Sequence, residues 1–245
     1  SLKKNLRLKF SIPLLLLPLI YFKYSSFLIE SFGIKNFDYI SYSGSLPLGI
    51  SFVTFTVVAL LVDVKKRIFQ EELTLESLSE FIFYFPQLIA GPILRAKELI
   101  PSLRNKILFK KNNIKFGLIL FLIGFGKKIF VADTISQYID PIFLNPLNFS
   151  SEYILVASLL FPLQIYFDFS GYIDMALGIS NIMGIKLPIN FDKPYLSMSL
   201  TEFWRRWHIT LSKWFRDYVY IPIGGSRSGK IRTYCNLIIT MTVAG

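Results

Sequence analysis

Apolar runs about as long as a lipid bilayer is thick recur along this chain, and basic segments separate them. A helix needs roughly 20 mainly apolar residues to cross the hydrocarbon core of a membrane. Hydrophobic residues make up 53% of the 245 residues, and charged residues make up only 18%. Pattern and composition together predict an all-α integral membrane protein that lies in a phospholipid bilayer.

The formal net charge of +11 would by itself suit a nucleic-acid-binding protein. Such a protein carries its charge as a solvated patch on a soluble fold, whereas here lysine and arginine lie between apolar segments. We therefore predict no nucleic-acid partner. Because the chain has one cysteine and one histidine, it lacks the usual set of zinc ligands, and no metal site is expected.

Lysine and arginine in short loops mark the cytoplasmic side of a membrane protein. This rule places the N-terminal end in the cytoplasm and predicts spans, in chain order, at residues 10–29, 46–64, 116–131 and 153–185. Residues 132–152 contain no lysine or arginine and are predicted to form an outside loop. Pro162 indicates a kink or a break in the last span.

Two stretches do not fit a simple crossing. Residues 78–94 are short, contain Phe85-Pro86-Gln87 and Gly91-Pro92, and are basic on the C-terminal side, so we predict a re-entrant element. Lys127 and Lys128 lie near the end of the third span. They are expected either to reach the outer interface or to face other parts of the protein.

The only histidine, His208, lies in a basic region that places it on the cytoplasmic side. Apolar and aromatic residues recur every three or four positions over residues 204–218, which predicts an amphipathic helix at the membrane interface or over a cavity. Because imidazole titrates near neutrality, His208 is the leading candidate for proton transfer. The alternative is an interfacial anchor with His208 as a polar tip. The flanking tryptophans are Trp204, Trp207 and Trp214.

Asp168 and Asp174 lie within the fourth predicted span, where ionisable groups are costly and usually face a partner or a cavity. On a helix they stand roughly 120° apart, so they do not form an acid–base couple on one face. Hydrogen bonding to neighbouring helices is the favoured interpretation. A transporter would instead use them as a substrate or proton path, and it predicts an internal repeat that we do not find.

Four stretches resemble the membrane-bound O-acyltransferase (MBOAT) family, namely residues 46–52, 85–92, 166–178 and 201–227. They follow one another in the family's order, and the likeness extends over essentially the whole chain. Residues 221–227 are more similar to the branch that acetylates alginate and peptidoglycan than to the branch that adds D-alanine to teichoic acid.

This resemblance implies a multi-helix bundle with re-entrant and amphipathic interfacial helices around a tunnel, in the bacterial cytoplasmic membrane. Two positions mark the family's active site. One matches His208, and the other, the main catalytic base, is a histidine in a Trp-His-Gly motif for which this chain has no match. We therefore expect residues 1–245 to be a single membrane domain that is incomplete at both ends and inactive by itself.

The resemblance further implies transfer of an acetyl-type group from a cytoplasmic thioester, such as acetyl-CoA, toward an extracytoplasmic polysaccharide. It also implies a periplasmic partner protein and no tightly bound cofactor. His208 would orient or polarise the thioester or the acceptor. Arg205 and Arg206 are candidates for binding the phosphates of coenzyme A, or for lipid headgroups instead. The other candidates for substrate contact are Trp204, Trp207, Trp214, Asp168, Asp174 and Gln87.

Three alternatives stay open beside acetyl transfer to an alginate-like polysaccharide. D-alanyl transfer or peptidoglycan acyl transfer would use the same kind of site. A truncated relative without catalytic activity would explain the missing second histidine directly. The transporter named above is the third.

Overall fold

The computed structural model describes residues 2–31, 47, 49–69, 73–88, 91–104, 109–227 and 229–244. Within these ranges every regular element is helical and no β-strand occurs, so the predicted all-α class is confirmed there. The α-helices are α1 Leu2–Ser31, α2 Ile50–Lys65, α3 Leu75–Ile82, α4 Phe85–Leu88, α5 Ala96–Arg104, α6 Lys111–Gly126, α7 Asp133–Leu144, α8 Ser151–Ile182, α9 Leu200–Arg206, α10 Ile209–Phe215 and α11 Lys230–Ala244. Two π-helical segments, Lys127–Ala132 and Arg216–Tyr220, and two 3-10 turns, Pro146–Asn148 and Pro194–Leu196, complete the regular structure of these ranges.

The chain divides into two compact units. The first unit comprises Ser1–Ile89, Ile93–Pro101 and Trp214–Gly245, and the second comprises Ala90–Pro92 and Ser102–Lys213. The expectation of one membrane domain over residues 1–245 stays a prediction.

In the second unit, α6, the first π-helical segment and α7 follow one another without a break. The junction residues Lys127 and Asp133 have right-handed helical backbone, with φ of −57° and −68°. Helix formation ends at Asn145, whose φ of −137° and ψ of 66° precede Pro146. A residue before proline is driven out of the helical region, which explains this end point. Residues 132–152, which we predicted to form a loop, are therefore mostly helical.

Helices α6 and α8 pack backbone against backbone through glycines. A Cβ added to Gly117 would lie 2.5 Å from the carbonyl oxygen of Gly178, and a Cβ added to Gly124 would lie 2.5 Å from that of Gly171. The two helices are antiparallel, because the earlier glycine of α6 meets the later glycine of α8. Small residues at an interface allow this close approach and are typical of helix packing in membranes.

Among the described helices, α8 is the one that is both long and apolar enough to cross a membrane, with 32 residues and a mean hydropathy of 1.5 in its most apolar window. It runs continuously through Pro162, so the proline does not break it. Residues 10–25 of α1 form a shorter apolar helix. Helices α2 and α6 have 16 residues each, fewer than a crossing normally needs, and the other spans stay predictions.

The segment that we predicted to be re-entrant contains two short helices in the first unit, and its described residues after them are not helical. Thr74 and Ser77 form a reciprocal capping box at the start of α3, with both capping bonds at 3.1 Å. Helix α3 then ends at Ile82, α4 spans four residues, and residues 91–95 are not helical. Eight residues of helix extend only about 12 Å, too short to cross the hydrocarbon core.

Candidate active site

His208 lies at a break between two short helices. Helix α9 ends at Arg206, Trp207 has extended backbone with φ of −98° and ψ of 128°, and His208 has a φ of 41° just before α10 begins. The prediction of one amphipathic helix over residues 204–218 is therefore wrong. A positive φ costs a non-glycine residue roughly 1–3 kcal/mol, so surrounding contacts must hold this turn.

Hydrogen bonds from residues 190–192 hold the turn on both sides. The N–H of Asp192 donates to the carbonyl of Arg206, and the N–H of Ile209 donates to the carbonyl of Asn190, both at 3.0 Å. Asn190 Oδ1 also accepts from the N–H and the hydroxyl of Thr210, at 2.9 and 2.7 Å. These bonds between distant segments replace the helical bonds that would cross Trp207 and His208, which explains the break.

Aromatic rings enclose the imidazole of His208. The ring of Phe169, on α8, meets it edge-on with the centroids 4.7 Å apart, and the ring of Phe191 lies at 6.4 Å. His208 is only 8% exposed, and its Nδ1 has no hydrogen-bond partner among the described residues. Burial lowers the pKa of His208 to about 4, because the charged imidazolium loses its hydration in this apolar surrounding.

An imidazole in this state is neutral at pH 7. With a pKa of about 4, His208 accepts a proton less readily than an ordinary histidine does, whereas an effective general base has a pKa near the working pH. Its unpartnered Nδ1 can still form one hydrogen bond with a ligand. The geometry therefore favours a role in which His208 orients or polarises a reacting group over a role as general base.

Trp207 belongs to an aromatic cluster beside this turn. Its ring stacks on Phe203 with centroids 5.6 Å apart and meets Phe191 edge-on at 5.0 Å. Tyr166 and Tyr195 lie 6.3 and 6.1 Å from the same ring. Phe191 thus contacts the rings of both Trp207 and His208.

Trp204, Arg205 and Arg206 lie on α9 in different environments. Trp204 is 44% exposed and contacts Phe203 edge-on at 5.5 Å. Arg206 forms a 2.7 Å ion pair with Glu202, one helical turn away, so its charge is already partnered. Arg205 is exposed, and no ion pair is found for it within the described ranges. Arg205 is therefore the arginine of this pair that is available to an external phosphate.

Asp168 and Asp174 are paired with the two lysines of the first π-helical segment. Lys127 Nζ lies 2.6 Å from Asp174 Oδ2, and Lys128 Nζ lies 2.7 Å from Asp168 Oδ1 and also contacts Asp133. Of the two placements predicted for these lysines, the structure shows the one that faces protein. The carboxylates are bound to a neighbouring helical segment, in agreement with the favoured interpretation, and are not brought to His208 by any described contact.

Gln87 and Trp214 belong to the first unit and are structural there. Gln87 is 4% exposed, and its Nε2 donates to the carbonyl of Phe81 at 2.6 Å. Trp214 is 8% exposed, its Nε1 donates to the carbonyl of Phe55 at 3.0 Å, and the two rings lie 4.6 Å apart. Both side chains contribute to the packing of this unit, the buried Oε1 of Gln87 has no partner within the described ranges, and a substrate contact for either residue stays a prediction.

A charged cluster in the first unit was not foreseen from the sequence. The hydroxyl of Tyr218 donates to the buried Asp63 at 2.8 Å, Arg95 lies over the Tyr218 ring at 5.4 Å, and Arg95 is also ion-paired with Asp217. Burial and the bond to the Asp63 carboxylate raise the pKa of Tyr218. Every polar group named here has a partner, which marks the cluster as structural.

Sequence reasoning also missed Asn190, Phe169 and Phe191, the residues that shape the His208 turn. Phe169 stands in a long apolar helix in which aromatic residues are frequent, and a single asparagine in an irregular segment forms no periodic pattern. Only the fold brings residue 190 next to residue 210.

Comparison with known proteins identifies the family. Residues 65–245 match the model of MBOAT, the membrane-bound O-acyltransferase family, and these residues include the whole His208 turn. The chain belongs to the membrane-bound O-acyltransferase family. Its membrane character, inferred above from apolar runs, is thereby confirmed.

Individual relatives within the MBOAT family carry related names. The chain is 41% identical over 234 residues to the probable alginate O-acetylase AlgI of Pseudomonas putida, and 38% identical over 254 residues to the peptidoglycan O-acetyltransferase of Helicobacter pylori. It is 36% identical over 181 residues to the teichoic acid D-alanyltransferase of Bacillus subtilis. These alignments cover 92%, 92% and 71% of this chain, and 47%, 48% and 45% of the relatives. The chain thus spans about half the length of the MBOAT proteins it matches.

Proposed function

We propose that the protein containing this chain transfers an acetyl-type acyl group from a cytoplasmic thioester toward an extracytoplasmic polysaccharide. The observation that carries the proposal is the His208 turn, in which a buried, neutral imidazole with an unpartnered Nδ1 lies in a segment that matches the MBOAT family. The relatives with the highest identities reported above are named as acetyl-transferring enzymes of alginate and peptidoglycan.

The reaction requires an acceptor oxygen to attack the thioester carbonyl. A C–O bond forms, the C–S bond breaks, and the hydroxyl proton passes to a base while the thiol leaves. By resemblance the base is the histidine of the family's Trp-His-Gly motif, which residues 1–245 do not contain. His208 then acts by holding the thioester or the acceptor through one hydrogen bond, which its neutral state at pH 7 allows.

The surroundings of His208 support the exclusion of water from this step. Phe169, Phe191 and Trp207 form an apolar wall, and a dry site limits hydrolysis of the thioester. Arg205, which is exposed, would contact a phosphate of the donor, acetyl-CoA or a similar thioester, or a lipid headgroup. No tightly bound cofactor is required.

The finer architecture belongs to the same proposal. We place the protein in the bacterial cytoplasmic membrane with several spans and with His208 on the cytoplasmic side, as the distribution of lysine and arginine suggests. The breaks at residues 83–84 and 91–95 support a re-entrant element, and irregular backbone at membrane depth is tolerated where it lines a cavity such as a tunnel. A periplasmic partner protein would complete the transfer to the polymer.

The direct test uses the full-length protein in a strain that lacks its own copy. His208→Ala should lower the ester-linked acetate of the exported polysaccharide by at least about tenfold, because an oriented polar contact in the reaction is lost. Lys213→Ala, at an exposed position of α10, should leave the acetate content unchanged. Full acetylation with His208→Ala, at equal protein level in the membrane, would make His208 an anchor residue and end the catalytic assignment.

The same strains distinguish the second candidate, D-alanyl transfer. The 36% identity to the teichoic acid D-alanyltransferase supports this alternative. Ester-linked D-alanine and acetate are measured on the same cell-surface fraction. Loss of D-alanine with unchanged acetate in the deletion strain would replace acetyl by D-alanyl as the transferred group.

A further inference from the structure

We propose that Asn190 is a positioning residue for His208, a role that rests on the proposed function. Asn190 is fully buried, with 0% of its surface exposed. Its carbonyl oxygen Oδ1 accepts two hydrogen bonds, from the N–H and from the hydroxyl of Thr210. Two bonds are the full accepting capacity of an amide oxygen. The amide oxygen is therefore committed to the residue two positions after His208, while the amide nitrogen Nδ2 has no partner among the described residues.

Asn190 performs for α10 the task of a helix cap. The first N–H groups of a helix have no partner inside the helix and are usually satisfied by the side chain of the residue just before it. Here that residue is His208. The N–H groups of Ile209 and Thr210 instead bind the backbone carbonyl and the side-chain oxygen of Asn190, 19 and 20 positions earlier.

This arrangement releases the imidazole from capping. His208 stands at the cap position but has left-handed backbone, with φ of 41°, in place of the extended backbone that capping residues usually adopt. Its Nδ1 has no partner within the described part of the chain. Serine or aspartate at position 208 could cap α10 without a positive φ. The fold thus contains a strained turn at His208, and this turn leaves Nδ1 of the ring without a partner among the described residues.

The same short segment also sets the surroundings of the imidazole. Phe191, next to Asn190, contacts both His208 and Trp207. The bond from the N–H of Asp192 to the carbonyl of Arg206 closes the other side of the turn. Residues 190–192 therefore determine the backbone, the packing and the free nitrogen of His208 together.

The experiment uses the full-length protein in isolated membranes and a readout that is independent of acyl transfer. Diethyl pyrocarbonate modifies neutral imidazoles that are accessible, and peptide mass spectrometry measures its rate at His208. Asn190→Ala should raise this rate by about tenfold at pH 7, because the loss of a buried hydrogen bond shifts local opening by that order. Acetylation of the polysaccharide should fall in the same variant.

Variants at position 210 keep the test decisive if Asn190→Ala does not fold. Thr210→Val removes the hydroxyl and keeps the shape, so it should raise the modification rate several-fold, whereas Thr210→Ser keeps the hydroxyl and should restore the wild-type rate and acetylation. Lys213→Ala changes an exposed side chain of α10 that the structure does not place in the turn, and should change neither readout.

Two results would overturn the role of Asn190. One is a wild-type modification rate at His208 in folded Asn190→Ala and Thr210→Val. The other is a raised rate with unchanged acetylation, which would show that the turn is structural only. If no variant and not even the wild type supports acetylation, the proposed function fails, and the modification rates still decide whether Asn190 holds the imidazole.

Discussion

Polar side chains occupy two places in the second unit, the interface of α6 and α8 and the turn at His208. In the interface, Asp174 and Asp168 lie within 2.7 Å of lysine ammonium groups, although all these side chains keep some exposure. At the turn, the deeply buried Nδ1 of His208 and Nδ2 of Asn190 have no partner among the described residues. The carboxylates of α8 thus have charged partners, whereas these two nitrogens, like the hydroxyl of Ser170 on α8, have none within the described ranges.

This difference indicates what each place is for. Buried polar atoms are normally paired, because an unpaired one costs free energy that the fold must supply elsewhere. Glycine contacts hold α6 and α8 in one register, and ion pairs join α8 to the first π-helical segment. A strained backbone with free polar atoms is instead typical of a site that acts on a ligand.

The largest loss of stability is expected at a close backbone contact between α6 and α8. Gly124→Val places a branched side chain against the backbone of α8, where even a Cβ would lie 2.5 Å from the carbonyl of Gly171. We expect a loss of at least about 3 kcal/mol in the free energy of unfolding. Thermal denaturation of the purified protein in detergent measures it.

A glycine on the same helix provides the matched control. A Cβ at Gly126 would meet only the ring of Phe130, at 3.9 Å, which is ordinary contact. Gly126→Ala should leave stability unchanged or raise it by roughly 0.5–1 kcal/mol, because alanine favours helix more than glycine does. Equal effects of Gly124→Val and Gly126→Ala would show that the close contact between α6 and α8 does not hold the two helices together.

The sequence predicted the interface better than the turn. A long apolar run predicted the position of α8, although not its continuity through Pro162, and the cost of carboxylates in that run predicted partners for Asp168 and Asp174 on a neighbouring segment. These inferences rest on local composition, which the folded chain preserves. The counting of basic residues, in contrast, could not show that residues 133–144 are helical.

The turn could not be predicted because its cause lies far away in the sequence. The aromatic spacing around His208 is helical, and it predicts one helix as long as no outside partner is known. Hydrogen bonds that the N–H groups of Ile209 and Thr210 donate to Asn190 override this local preference. The choice of His208 as a site residue stays a prediction, while the shape that gives it an unpartnered nitrogen required the fold.

Titration of His208 tests the turn independently of the interface between α6 and α8. Its pKa is about 4 in the folded protein and about 6.5 in an unfolded chain, so between these values the unfolded state binds more protons. Stability from the buried neutral imidazole is present above pH 6.5 and is lost as the pH falls toward 4. The loss should reach about 3 kcal/mol.

Comparing the wild type with a variant at position 208 cancels the contribution of the other titrating groups to the pH dependence of stability. Unfolding free energies of wild type and His208→Asn are compared from pH 7 to pH 4, because asparagine tolerates positive φ and does not titrate. The wild type should lose stability relative to the variant over this range. If the unfolding free energies of the two proteins change in parallel with pH, the imidazole is hydrated and the turn is not closed around it.

The smallest effect is expected for the paired charges, and it tests whether pairing stabilises the interface at all. In a double-mutant cycle with Lys127→Met and Asp174→Asn, we expect a coupling of about 1 kcal/mol, between the values for exposed and buried pairs, since the two side chains are 26% and 18% exposed. The pair of Glu202 and Arg206, one turn apart and about one-third exposed, is the control and should give about 0.3 kcal/mol. Both couplings come from unfolding curves in detergent. If the two are equal, Lys127 and Asp174 are solvated like a surface pair, and their pairing adds no more stability than that of two exposed side chains.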